Sequence, residues 1–435
     1  MTITTDAIVI GAGIVGSSTA YQLAKHGRRV VLIDKSNGAG YGSSSSSSGI
    51  IRYEYTVLTS VIVAWEAAEM WRHLRDYLEA PADEALAKFH QVGKIMVDAP
   101  AFPRERLRGY FDDIGIQYEE WDSATLAARI PGIDPGKFFP PKPIDDDHFW
   151  DDPSGTLGAI FTPEAGFIDD PRLACENFAN AAKRAGAVTL YKTRVIGIEQ
   201  GSDGVWRVRL DSGETVEAPV VVNAAGPWSP VVNQLAGVGG EFAITTRPLR
   251  QEVHAVAAPP GFNPPGGIGH CVADQDLGYY LRPEPSGSLI IGGTEPACDV
   301  LEWVEGDVDA VNMNRTQELF DKQVTRAARR FPEMAIPPRP AGVVGVYDVA
   351  SDWTPIYDKT DAPGFFVGIG TSGNQFKNGP IIGEFMLSII DAVGAGVDHD
   401  ATPVTYLGRK TGREVSLGFY SRLREPAANS GTVAG

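Results

Sequence analysis

Near its start the chain runs Ala7-Ile8-Val9-Ile10 into Gly11-Ala12-Gly13-Ile14-Val15-Gly16, and a second apolar run, Val30-Val31-Leu32-Ile33, ends at Asp34. Glycines at this spacing between a strand and a helix, followed by an acidic residue at the end of the next strand, define a dinucleotide-binding βαβ unit. Gly11 permits the tight turn, Gly13 lets backbone approach a pyrophosphate, and Gly16 lets a helix over 17–26 pack closely on the strands. The free N–H groups and positive dipole end of that helix face the phosphates. A carboxylate at Asp34 accepts hydrogen bonds from ribose hydroxyls and repels a 2′-phosphate, so FAD or NAD fits and NADP does not.

At 435 residues the chain exceeds one ordinary core, so two domains, or one with a large insertion, are expected. Its formal charge of -17 opposes binding to nucleic acid or anionic lipid. Three cysteines, Cys175, Cys271 and Cys298, form no CxxC pair and no zinc-like spacing, so neither a disulfide framework nor a metal site is expected. No leader-like N-terminal stretch and no long apolar run occur, which predicts a cytoplasmic protein with no membrane partner.

After Asp34 a glycine-rich stretch reaches Gly42 and then six serines, Ser43 to Ser48, followed by Gly49-Ile50-Ile51-Arg52. Directly behind the first βαβ half, such a segment reads as a backbone-rich loop against a cofactor, since serine and glycine offer donors with little bulk. Helical spacing predicts helices over 65–78, 171–185, 311–330 and 381–392. Asp170 is the expected N-cap of the second, with Pro171 in its first turn. A hairpin is expected across Asp211-Ser212-Gly213, and the buried run Val220-Val221-Val222-Asn223 returns the chain to the nucleotide sheet before Ala225-Gly226-Pro227-Trp228. Gly226, at a strand end stripped of side chains, implies something lying against the backbone. Asp145-Asp146-Asp147-His148 reads as a solvated loop, and everything beyond about residue 396 as a loosely held tail.

Four blocks, residues 11–34, 42–55, 220–229 and 368–383, resemble in their order the D-amino-acid oxidase superfamily of FAD enzymes, in its sarcosine oxidase, glycine oxidase and dimethylglycine dehydrogenase branch. The resemblance implies an α/β fold: a Rossmann-like FAD-binding domain from 1–87, 153–240 and 341–396, interleaved with an α+β, mixed-sheet substrate domain from 88–152 and 241–340. It implies FAD contacts at Gly11, Gly13, Ile14, Val15, Gly16, Asp34, Lys35, Gly42, Ser43, Ser44, Ser47, Ser48 and Gly49. Val195 would meet the adenine, Ala225, Gly226 and Trp228 the phosphates and ribityl chain, and Gly345, Gly373, Asn374, Gln375, Phe376 and Lys377 the flavin end. Arg52 and Lys377 match the pair that takes a substrate carboxylate, and one of Tyr279 and Tyr280 would face the flavin, because side chains alternate along a strand.

The implied activity is oxidation of the C–N bond of a small amino acid or N-alkyl amino acid, a hydride passing to flavin N5 and water hydrolysing the imine. A 2-hydroxy-acid dehydrogenase of the same superfamily and a non-catalytic binding protein are the other readings. The branch's tethering cysteine has no counterpart in Val343-Val344-Gly345-Val346-Tyr347, and the serine run lacks a histidine, so FAD is expected to be non-covalent. No lysine stands at Gly293-Thr294, where the family's oxygen-activating lysine would fall, so oxygen and another electron acceptor both remain open.

Overall fold

In the computed structural model, which describes residues 1–427 and 431–433, the opening fingerprint sits at the centre of a six-stranded sheet. Its order is Val188–Leu190, Val30–Ile33, Ala7–Ile10, Val220–Asn223, Phe365–Ile369 and Ile356–Lys359, all parallel except the last pairing. The two central runs Val30–Ile33 and Ala7–Ile10 are apolar and buried throughout because both faces are covered. Ala7 and Val9 point to a core shared with helices Ile14–Lys25, Pro171–Arg184 and Gly379–Gly394, while Ile8 and Ile10 point to a core shared with the sheet Thr2–Thr4, Thr215–Ala218, Trp206–Leu210 and Val195–Gln200. Asp170 caps the helix Pro171–Arg184, its side chain accepting from Leu173 N at 2.8 Å, as its position before proline predicts.

The second sheet has eight strands in the order Gly342–Ala350, Thr246–Ala257, Ser288–Gly293, Tyr279–Pro283, Cys271–Asp274, Lys94–Val97, Ala159–Thr162 and Glu119–Trp121. It is mixed: Cys271–Asp274 runs parallel to Lys94–Val97 and the other neighbours are antiparallel. Helix Gln317–Arg330 covers its far face through Phe320, Val324 and Ala327. The fold is thus α/β with a mixed-sheet second part, but two strands expected on the nucleotide side, Ala159–Thr162 and Gly342–Ala350, hydrogen-bond into the eight-stranded sheet.

Other boundaries shift for local reasons. The helix expected over 311–330 starts only at Gln317, where Thr316 caps it by accepting from Leu319 N at 3.3 Å. The one expected over 65–78 begins earlier, at Leu58, and is interrupted at His73 before a short turn Leu74–Tyr77. Through residue 427 the tail is not loosely held: Thr405–Leu407 pairs with Glu414–Ser416, and Tyr406, Val415, Leu417 and Tyr420 are buried against the helix Gly379–Gly394 and its surroundings, while 428–430 and 434–435 lie outside the described residues. Its aromatic residues, not its small polar ones, decide the packing. Arg422 is fully buried, donating to Asp400 Oδ1 at 2.8 Å, to Asp358 Oδ2 at 3.1 Å and to Asp361. Among the described residues no helix is long and apolar enough to cross a membrane.

Arg422 and Asp358 are both buried, and removing one partner of such a pair leaves the other charge unpaired, at a cost of about 3–5 kcal/mol. Arg422→Ala is therefore expected to lower the thermal midpoint markedly, whereas a change within a degree or so would show that the segment contributes little to the fold.

Candidate functional site

One cleft runs from the turn after Ala7–Ile10 to the near face of the eight-stranded sheet. At its first end Gly11 has φ +102°, and a Cβ there would stand 2.4 Å from the Ala224 carbonyl oxygen, so only glycine fits. A Cβ on Gly16 would come within 1.8 Å of the Gly11 carbonyl oxygen, which is how closely helix Ile14–Lys25 approaches the strand turn. Gly16 therefore serves packing and does not itself line the cleft, whereas Gly11, Gly13, Ile14 and Val15 do. No side chain caps the helix at Gly13, and Ile14 N donates to Ser44 Oγ at 3.1 Å. Asp34, also on the cleft, is oriented by Ala12 N and Ser36 N, each donating to it at 2.7 Å. A helix start beside a half-exposed, held carboxylate suits a pyrophosphate followed by a ribose.

The serine run is a 3-10 turn, Ser43–Ser46, stitched to the strand Gly342–Ala350 by Ser43 Oγ donating to Val346 O at 2.5 Å and Ser46 Oγ to Val344 O at 2.9 Å. Gly42, Ser43, Ser44, Ser47, Ser48 and Gly49 line the cleft. Gly345 does not: a Cβ there would lie 2.8 Å from Ser46 Cβ, so this glycine lets strand and serine turn approach one another, a correction to its expected place on the cofactor. Val195, Ala225, Gly226 and Trp228 line the same end, and Gly226, at φ +55°, has open space where a side chain would be. Lys35 stands 3.8 Å over the Trp228 ring and pairs with Asp309, which also accepts from Trp228 Nε1 and Arg194 Nη2 at 2.9 Å each. This clasp on the rim joins residues far apart in sequence, and Asp309 carries no local motif that could reveal it.

At the other end the turn Gly373, Asn374, Gln375, Phe376, Lys377 lines the cleft ahead of helix Gly379–Gly394. Arg52 and Lys377 meet over one ring, the Arg52 guanidinium carbon 4.3 Å and the Lys377 ammonium 5.3 Å from the Tyr55 centroid. Lys377 also donates to Asn374 O. Beside them lies an ion pair that sequence reasoning missed, Lys94 Nζ to Glu54 Oε2 at 3.0 Å, with both side chains buried. Burial opposes the Glu54 charge, but Lys94 and Arg52 outweigh it and hold that carboxyl below its ordinary range. Burial lowers Lys94, only partly offset by Glu54, and it lowers Lys377 far more clearly, with Arg52 and Lys94 adding repulsion.

The two tyrosines separate as strand alternation requires. Tyr280 lines the cleft, its hydroxyl 2.7 Å from Ser48 Oγ, and burial pushes it up to about 12. Tyr279 is fully buried in the core on the opposite face, under helix Gln317–Arg330, so it is no part of the site. Also on the cleft, and unforeseen, are Met96, Thr294, Tyr347 and Val433. Val433 accepts from Arg52 Nη2 at 3.0 Å through its carbonyl and donates its N–H to Glu295 Oε2 at 3.1 Å. Two buried polar atoms of cleft residues, Asn374 Nδ2 and Thr294 Oγ1, have no partner within the described chain, as expected of a cleft shaped for a polar ligand.

The profile of the family described as "FAD dependent oxidoreductase", DAO, matches residues 6–388. The mitochondrial dimethylglycine dehydrogenase of Rattus norvegicus is 26% identical over 325 residues, covering 74% of this chain and 34% of that protein. The chain thus spans about a third of that relative's length. The glycine oxidase of Geobacillus kaustophilus (strain HTA426) is 23% identical over 396 residues, covering 89% of this chain and 93% of the relative. Among solved structures, L-proline dehydrogenase from P.horikoshii shares the fold with a TM-score of 0.73 at 20% identity, covering 98% of both chains. Glycine oxidase from Geobacillus kaustophilus does so at 0.69 and 20%, covering 89% of this chain and 95% of that one.

Lys377 supplies a pH test of this geometry. Between its depressed folded value and the ordinary 10.5, the unfolded chain holds a proton that the folded chain does not, so Lys377 adds stability as pH rises through that window. Moving from about pH 7 to about pH 9 should raise the thermal midpoint more in the wild type than in Lys377→Met. Equal responses would show that the amine is not held in its neutral form.

Proposed function

Because the chain belongs to the DAO family of FAD-dependent oxidoreductases, we propose that it holds FAD without a covalent tether and oxidises the C–N bond of a small amino acid or N-alkyl amino acid. One observation carries the choice of substrate: Arg52 and Lys377 converge over the Tyr55 ring, at the far end of a cleft whose near end is the dinucleotide fingerprint. With Lys94 they place three basic side chains around the buried carboxylate of Glu54, within a chain whose overall charge is -17. A guanidinium beside an amine suits a carboxylate, the planar fork fixing its orientation.

In this reading Gly11 and Gly13, with the start of helix Ile14–Lys25, hold the pyrophosphate, and Asp34 holds the adenosine ribose. Val195, Ala225, Gly226 and Trp228 enclose the adenosine and phosphate half, and the serine turn and the 373–377 turn enclose the other. When bound, FAD supplies the hydride acceptor. The chain's own task is to hold the carboxylate with Arg52 and Lys377, set the carbon bearing nitrogen against the acceptor, and exclude water. Tyr280, fixed by Ser48, borders that space. Cys175 and Cys271 are buried, and neither they nor Cys298 line the cleft, which supports a dissociable cofactor.

The purified protein is expected to be yellow, and its flavin absorption to bleach anaerobically with a member of a panel of N-methyl and cyclic amino acids. A panel that bleaches nothing would contradict the proposal, and admission of air to the bleached enzyme then separates oxidase from dehydrogenase. Arg52→Met should raise KM for the effective amino acid about 100-fold, equivalent to ~2.7 kcal/mol, with flavin content unchanged. An unaltered KM would remove Arg52 from the substrate site.

A further inference from the structure

We propose that the Glu295 carboxylate anchors the amino group of the substrate, making it the residue that selects amino acids over other small carboxylates. The proposal rests on the amino-acid reading above and adds the second half of the recognition. It starts from Val433, whose N–H donates to Glu295 at 3.1 Å while its carbonyl oxygen accepts from Arg52 at 3.0 Å. One residue therefore spans the gap between an acidic and a basic side chain with its own N–Cα–C–O atoms. A free α-amino acid carries the same four atoms, with a cationic nitrogen in place of the amide and a carboxylate in place of the carbonyl. Both replacements strengthen the contact they make, since hydrogen bonds between charged partners are shorter and roughly twice as strong as neutral ones.

Glu295 is built for such a partner. It follows Thr294, which lines the cleft, and adopts φ +50°, a left-handed conformation disfavoured for a residue with a side chain. Gln251 Nε2 donates to its other oxygen at 3.1 Å and so fixes its direction. Burial pushes the carboxyl up to about 8, and among the described residues no lysine, arginine or histidine forms an ion pair with it. An arriving ammonium supplies the missing counter-charge. Val433 packs against the cluster of Leu249, Val349 and Trp353 beside Tyr347, so the 431–433 segment occupies the place the substrate takes and must withdraw for it. A 2-hydroxy acid, with no cation to offer, fills the Arg52 end and leaves Glu295 unpaired.

The test compares isosteres that differ only in having nitrogen or ether oxygen at one position: sarcosine with methoxyacetate, and proline with tetrahydrofuran-2-carboxylate. Dissociation constants are read on the FAD-loaded enzyme under anaerobic conditions, for the amines from the concentration dependence of the bleaching rate and for the ethers from spectral perturbation. For Glu295→Gln the constant for the amine is expected to rise at least about tenfold while that for its ether stays within about twofold. Equal changes in both, or none in either, overturn the proposal. Should the glutamine variant fail to fold, Glu295→Asp keeps the charge and retracts it, and is held to the same amine-specific criterion with a loss of about threefold or more. If neither amine bleaches the wild type, the amino-acid reading falls and this inference with it. If one does, and Glu295→Gln responds to it unchanged, only the role of Glu295 falls.

Discussion

The contact on which the rest of the structure depends is backbone against backbone: the Gly11 turn pressed between Ala224 and the first turn of helix Ile14–Lys25. With room for no Cβ at Gly11 or at Gly16, the helix start is brought to the carboxyl ends of the parallel strands. Ligands in such sheets bind outside those strand ends, where the chain leaves each strand and its loops diverge. Three further cleft segments are delivered to the same edge: Asp34 by Val30–Ile33, the 225–228 turn by Val220–Asn223, and the 373–377 turn by Phe365–Ile369.

The second sheet completes the cleft because it is stitched to the first part by hydrogen bonds that leave the backbone close. Ser43 and Ser46 donate across to Val346 and Val344, and Gly345 removes the side chain that would hold them apart. On the rim, Asp309 ties Lys35, Arg194 and Trp228 together. At the far end the character of the surface reverses: a strongly acidic protein turns three basic side chains, Arg52, Lys94 and Lys377, inward, where low dielectric strengthens the interactions of Arg52 and the Glu54–Lys94 pair and pushes Lys377 toward its neutral form. The Glu54–Lys94 pair is the expensive part of that arrangement, since buried ion pairs seldom stabilise a fold. Its position beside Arg52 accounts for its presence better than stability does.

The elements legible in the sequence are those whose rule is local. The glycine spacing, the carboxylate closing the second strand, the Asp170 cap and the unbroken apolar strands all follow from contacts within one supersecondary unit. What depended on partners distant in the chain was not legible. Either Tyr279 or Tyr280 could face the cleft until helix Gln317–Arg330 covered one side of the sheet. Lys94 opens an otherwise apolar strand, Lys94–Val97, and reads as a solvated strand end until Glu54 is seen beside it. Glu295 and Val433 meet across 138 residues of sequence. For the tail, its share of small and polar residues outweighed the aromatic residues Tyr406 and Tyr420, which pack the segment down and bring Arg422 onto its aspartates.

We propose that the Gly11–Asp34 unit grips the adenosine half of FAD and so retains the flavin without a covalent bond. Titrating flavin-free protein with FAD and with FMN, followed by flavin fluorescence, tests it most directly, because FMN keeps the ring and ribityl phosphate but lacks the adenosine half. FAD is expected to bind at least about 100-fold more tightly than FMN. Equal affinities for the two would contradict it.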